Sequence, residues 1–241
     1  MAGCLAASPP RAGLRRAKQP GMERALGLDI PEKLEDLCTP ARTCLLVYDM
    51  QVGIVSQLAD GPVIVDRVGE LLRLARGAGI RVVYTRHYAM PLRWAGTFQL
   101  RMAKAWQRVE RVSDLRAVLQ LGSPAVQIHP DLAPHPDDAV IDKVAMSAFE
   151  GTPLEMLMRD LGLSSFLVAG IALEVGIEPT ARHAADLGLI PIVVEDACGF
   201  GHREAAERSL ATLRFAGDTM FTTLAGLGEL LPGGSTGGAG R

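Results

Sequence analysis

The sequence predicts an α/β domain: a parallel sheet with helices on both faces. Two observations carry this. Short, very apolar runs alternate with amphipathic stretches of about ten to fifteen residues, and glycines stop the stretches, as at Gly77 and Gly79. Runs that are apolar at every position suit strands covered on both faces, which is the environment of a parallel sheet.

Thr43–Tyr48 reads as the first buried strand. Val63–Gly77 places Val65, Val68, Leu71, Leu72 and Ala75 at helical spacing before its glycine stop. Ile80–Thr85 is the second strand. Phe98–Leu119 reads as a long, strongly basic helical segment with Arg101, Lys104, Arg108, Arg111 and Arg116, and with Trp94 and Trp106 nearby. Ala139–Asp142 is a short third strand, followed by a helix over 152–161. Ser165–Ala169 is the fourth strand, with a helix from about Glu174 to Leu187. Leu189–Val194 is the fifth, followed by a helix over 203–216. Thr219–Thr222 is the sixth, closed by a helix over 224–230.

The chain has 241 residues, enough for one sizeable domain, taken as 42–231. Residues 1–41 read as a largely disordered N-terminal extension, with Met22 as an alternative start, and 232–241 as a flexible glycine-rich tail. Hydrophobic residues make up 48%, charged ones 22%, and the net charge is −2. That balance gives no electrostatic case for nucleic acid or an anionic membrane surface. Apolar runs such as Phe166–Ala172 are far below the roughly 18 residues of a membrane span. The four cysteines, Cys4, Cys38, Cys44 and Cys198, form no CxxC pair and no metal spacing, which points to a reducing cytoplasm.

In doubly wound sheets the binding crevice lies outside the carboxyl ends of the strands. The residues there are Asp49 and Gln51, Arg86 and His87, Lys143, the Gly170–Gly176 turn, and Asp196. Asp49 follows an apolar strand, so its carboxylate needs a nearby cation to stay charged. Lys143 is the candidate. A Lys–Asp pair in a dry crevice can lend and take a proton. A strand-end turn or helix cap is the plainer role for Asp49 alone. The Gly170–Gly176 turn leads from strand to helix and leaves backbone N–H groups at the crevice. Gly176, at its end, has no side chain with which to attack.

Asp49-Met50-Gln51, Lys143-Val144-Ala145-Met146-Ser147-Ala148-Phe149, the Gly170–Gly176 turn and Glu195-Asp196-Ala197-Cys198 resemble, in that order, the isochorismatase-like hydrolases. The resemblance covers about Thr43 to Leu230. It implies a three-layer α/β/α, Rossmann-like fold with a mostly parallel six-stranded sheet, a homodimer or homotetramer, and a cis Ile171–Ala172 peptide. In the family's amidases the triad is Asp, Lys and Cys. Asp49 and Lys143 match the first two, and Gly176 stands at the cysteine's place, so this chain is similar to a glycine-bearing branch. Isochorismatases also carry glycine there; their reaction is vinyl-ether hydrolysis, in which a proton adds to carbon and water attacks without a protein nucleophile. They have Tyr and His in the turn where this chain has Ala172 and Glu174. The zinc ligands of nicotinamidases, Asp-x-His after the catalytic Asp, are not matched after Asp49, so no metal and no cofactor are expected.

The expected activity is therefore hydrolysis of a small polar molecule by Asp49 and Lys143, with the Ala172 and Gly176 amides as anion-binding donors. Gln51, Arg86, His87, Trp94 and Glu174 are the candidates for substrate contact. Each has a plainer reading too: His87 as a hydrogen-bonded structural residue, the 98–119 segment as a solvated cationic face rather than a lid offering Arg to an anion. Two other functions stay open: an inactive protein that keeps the pocket for binding, and an amidase with a displaced nucleophile such as Cys198.

Overall fold

The computed structural model describes residues 22–232. Its elements, in chain order, begin with an antiparallel hairpin of β1 (Glu23–Ala25) and β2 (Leu28–Ile30), then α1 (Leu34–Leu37), β3 (Thr43–Tyr48), α2 (Val52–Val55), α3 (Gly61–Gly77) and β4 (Arg81–His87). They continue with α4 (Thr97–Gln107), β5 (Ala139–Lys143), α5 (Leu154–Asp160), β6 (Ser165–Ile171), a π-helical turn (Leu173–Ile177) and α6 (Glu178–Asp186). The chain closes with β7 (Ile190–Gly199), α7 (Arg203–Ala216), β8 (Met220–Thr222) and α8 (Leu224–Leu230).

Six strands form one sheet in the order β5-β4-β3-β6-β7-β8, and every pairing in it is parallel. The order runs outward from β3 and β6, so the chain winds first one way and then the other. Helices flank the sheet, with α3 packed on α8 and α6 on α7. This is the three-layer α/β/α architecture expected. The two central strands are buried at every position, which is why their sequences are apolar without alternation. Edge strand β5 alternates between cover and exposure.

Four features differ from the sequence reading. The basic segment is not one long helix: α4 ends at Gln107, where Arg108 takes a left-handed conformation (φ 53°), and a 3-10 turn at Val112–Asp114 follows. Helical spacing does not continue across the Val109–Val112 stretch. Strand β7 runs on to Gly199 instead of stopping at Val194, because a register shift opposite Val168–Gly170 carries Glu195 and Asp196 through the strand. That shift brings Cys198 beside Gly170. The helix expected from Glu174 begins as the π-helical turn. Finally, the described part of the expected extension, 22–41, holds the hairpin and α1, whose Leu37 belongs to the core. Residues 1–21 and 233–241, with most of the expected tail, lie outside the described residues.

Candidate active site

Parallel register aligns the carboxyl ends of β5, β4 and β3, so that Lys143 pairs with His87, while Asp49 leaves β3 one residue past Tyr48. Asp49 adopts a left-handed backbone (φ 47°), a conformation Asp tolerates better than most residues. Its side chain is fixed on both oxygens. Thr85 Oγ1 donates to Oδ1 at 2.6 Å, and Lys143 Nζ donates to Oδ2 at 2.7 Å. The Asp49 N–H in turn donates to Thr85 Oγ1 at 3.2 Å.

Lys143 Nζ also donates to the Tyr48 hydroxyl at 2.8 Å and to the Ala145 carbonyl at 3.2 Å. All three ammonium hydrogens therefore have acceptors, although the side chain is only 1% exposed. Burial pushes the Lys143 ammonium down from its usual range, and the Asp49 carboxylate works against that shift. Burial, with the Asp49 charge second, holds the Tyr48 phenol well above its usual range, so it stays protonated. The phenol donates its own hydrogen to the Met146 carbonyl.

The Ile171–Ala172 peptide is cis, as the resemblance implies. Gly170, just before it, has φ 127°, and a side chain there would collide with the Tyr48 backbone. Gly176 is required for a different reason. A Cβ at 176 would fall inside van der Waals contact of the Tyr48 hydroxyl oxygen and of ring carbons Cε1 and Cζ. The space that a side chain at 176 would fill is filled by the Tyr48 phenol. The Gly176 N–H donates to the Ala172 carbonyl at 2.9 Å, so one of the two expected anion-binding amides is engaged within its own turn.

Tyr48, Asp49, His87, Lys143, Ala172 and Gly176 line one cavity of about 750 Å³. Its other walls are largely apolar: Ile54 and Leu58 on one side, and Met90, Leu92, Leu100, Met102, Trp106 and Leu119 on the other. Burial and the Lys143 charge push the His87 imidazole down, which favours its neutral form.

The remaining expected contacts are held elsewhere. Gln51 is fully buried and clamps His87 through both its carbonyl (2.9 Å) and its N–H (2.7 Å), with a third bond to the Val126 carbonyl at 3.0 Å. Arg86 makes a two-pronged ion pair with Asp142 at 2.7 and 2.9 Å and does not line the cavity. Trp94 is 66% exposed; Leu92 and Ala95 on either side of it line the cavity, but Trp94 itself does not. Glu174 Oε1 accepts from the Gly201 and His202 amides, both at 2.8 Å, and so ties down the loop after β7. Its Oε2 is buried with no partner among the described residues.

Among the described residues no arginine lines the cavity, so the basic segment does not offer one to an anion there. Cys38, Cys44 and Cys198 are buried and none lines the cavity. Cys198 donates to the Val194 carbonyl at 3.2 Å, and burial pushes its thiol far up. Among the described residues no group of three or more His, Cys, Asp or Glu is placed to hold a metal ion.

Two residues of the site escape the sequence reading. Thr85 reads as one more strand position, and only its burial beside Asp49 reveals its role. Tyr48 carries a visible signal, a hydroxyl-bearing ring at the end of an apolar strand.

The chain matches the isochorismatase domain over residues 43–225. It is 30% identical over 179 residues to the uncharacterized isochorismatase family protein YecD of Escherichia coli O157:H7, covering 70% of this chain and 85% of that one. It is 27% identical over 183 residues to the ureidoacrylate amidohydrolase RutB of Acinetobacter baylyi, covering 70% and 74%. Among solved structures it is similar to an isochorismatase family protein from Desulfovibrio vulgaris, with a TM-score of 0.65, 26% identity, and 78% and 97% of the two chains covered. It is also similar to a cysteine hydrolase from Pseudomonas syringae pv. phaseolicola, with a TM-score of 0.66, 26% identity, and 82% and 95% covered. Both the matched length and the fold lead to one conclusion: this chain belongs to the isochorismatase family, whose members are hydrolases.

Proposed function

We propose that the protein hydrolyses a small molecule without a cysteine nucleophile, using Asp49 and Lys143 for acid–base chemistry on the substrate and on water. The observation that carries this reading is the buried Asp49–Lys143 pair, 2.7 Å apart, on a cavity that, among the described residues, no cysteine lines. Vinyl ethers are the substrate class that fits best. The Asp49 carboxyl gives its proton to the enol carbon; the oxocarbenium ion so formed is electron-poor, and the Asp49 carboxylate left behind stabilises it and takes a proton back from the attacking water. The resulting hemiketal collapses to a carbonyl compound and an alcohol. Apolar walls keep bulk water away from the charged pair and so strengthen its field. The amidohydrolase activity named for the Acinetobacter relative is not carried over, because Gly176 offers no thiol to form an acyl-enzyme.

A panel of vinyl ethers, amides and ureido compounds, offered to the protein before and after iodoacetamide, tests this reading. Vinyl-ether turnover should survive alkylation and fall by about 10²–10⁴-fold in Asp49→Asn. Amide turnover destroyed by iodoacetamide would overturn the reading. Ligand binding without turnover would assign the pocket to binding alone.

A further inference from the structure

Asp49 and Lys143 occupy one part of a cavity of about 750 Å³, a volume that suits a whole drug-sized molecule rather than a vinyl group alone. The rest of the lining is informative about that molecule. Helix α4 contributes Leu100, Met102 and Trp106, and the segments on either side of it contribute Met90, Leu92 and Leu119. These side chains gain by covering apolar surface and have nothing to offer a charge.

An ionised substrate group meets no partner there. Among the described residues, Asp49 and Lys143 are the only acidic and basic side chains on the cavity apart from His87. All three Lys143 hydrogens are taken, by Asp49 Oδ2 at 2.7 Å, the Tyr48 hydroxyl at 2.8 Å and the Ala145 carbonyl at 3.2 Å. An anion reaches Lys143 only by displacing one of them. His87 is pushed towards its neutral form by burial and by Lys143, so it adds no second cation. The Gly176 amide donates within its own turn, and Gln107 spends both ends of its side-chain amide on the Arg116 backbone. A cation fares no better, because Asp49 already accepts from Thr85 and from Lys143. The other polar side chains of the lining, such as Tyr88, Gln99, Gln120 and Ser123, carry no charge. An ionised group placed here loses its hydration without replacement, which costs more than apolar contact returns.

We propose that the substrate is an uncharged vinyl ether with a large apolar body. Its enol end lies at Asp49 and Lys143 and its body along α4, where Met102 and Trp106 determine specificity. This rests on the hydrolase reading above and names the substrate class of the same site.

Three matched substrates test it: para-vinyloxytoluene, para-vinyloxybenzamide and para-vinyloxybenzoate. The first two are uncharged, and the amide separates polarity from charge. Their unreactive ethoxy counterparts, titrated by calorimetry, report binding whether or not turnover occurs. The toluene compound should exceed the benzoate by at least about 10-fold in kcat/KM and in affinity, with the amide between them. Met102→Arg places a cation on the wall, on a helix that buries none of its residues. It should narrow or reverse that ratio by raising kcat/KM for the benzoate. A parent that turns over the benzoate as well as the toluene compound overturns the substrate class and leaves the hydrolase reading standing. An unmoved ratio in a folded Met102→Arg overturns the placement of the body along α4. Preferential binding of ethoxytoluene with no turnover of any vinyl ether overturns the hydrolase reading and keeps the uncharged, apolar ligand class for the cavity. Neither turnover nor preference overturns both.

Discussion

The floor of the cavity is held by hydrogen bonds, whereas the wall facing it is built from apolar side chains that no core covers. On the floor, every hydrogen of the Lys143 ammonium and both oxygens of Asp49 have partners, and the two side chains are 1% and 5% exposed. On the wall, α4 buries none of its residues, and Trp106 is 56% exposed. The floor is ordered before substrate arrives, which suits a group that must meet a transition state. The wall is an apolar surface, which suits recognition of bulk rather than charge. On the proposed reading chemistry and recognition fall to different elements, and substitutions should separate them.

The largest effect is expected on the floor. Removing one partner of a buried pair strands the other charge, so Asp49→Ala should lower the unfolding free energy by about 3–5 kcal/mol, read from urea melts. A loss below about 1 kcal/mol would mean that the pair is more solvated than its geometry implies. Next comes the shared space at 48 and 176. Gly176→Cys alone should cost about 1–3 kcal/mol through overpacking against the Tyr48 ring. Combined with Tyr48→Val it should recover most of that loss, giving a clear coupling in a double-mutant cycle. Additive losses would show that the ring moves aside freely.

His87 marks the border of the two regions and gives a pH signature. Its folded pKa is lowered, so between that value and the unfolded value of about 6.5 the unfolded chain binds more protons. Stability should therefore fall as pH drops through that window, by at most about 1.4 kcal/mol per pH unit, and His87→Leu should flatten the slope. On the wall, Trp106→Ala should raise KM while leaving kcat and the melting temperature nearly unchanged. A collapse of kcat instead would join wall to floor. The smallest effect is expected at Arg86, whose partner is Asp142 and not the cavity. Arg86→Ala should leave KM within about twofold and cost about 0–1 kcal/mol, as for other half-exposed ion pairs.

The same division explains what the sequence discloses. Buried strands such as Thr43–Tyr48 and Ser165–Ile171 are legible because burial on both faces forces apolar runs. Asp49 is legible as a charge just past such a run, and Lys143 as a charge at the end of the short edge strand β5. Gln51, Arg86 and Glu174 lie at the same strand ends, yet their hydrogen bonds go to His87, Asp142 and the 201–202 amides, partners distant in sequence. Sequence position brought them to the rim, and only side-chain direction decides who faces the cavity. The Tyr48–Gly176 relation is of the same kind. Two positions 128 residues apart compete for one volume, and nothing local to either announces it. The exposed wall is less legible for a further reason: α4 takes its amphipathic pattern from a cavity and solvent, not from the core, so periodicity there marks neither length nor burial.

Whether water attacks directly is tested most directly by intact-protein mass spectrometry on reactions quenched during turnover. Direct attack by water predicts a single species at the mass of the unmodified chain throughout, with oxygen-18 from labelled water entering the carbonyl product. A transient species heavier by a substrate fragment would reveal a covalent intermediate, and would contradict hydrolysis by Asp49, Lys143 and water.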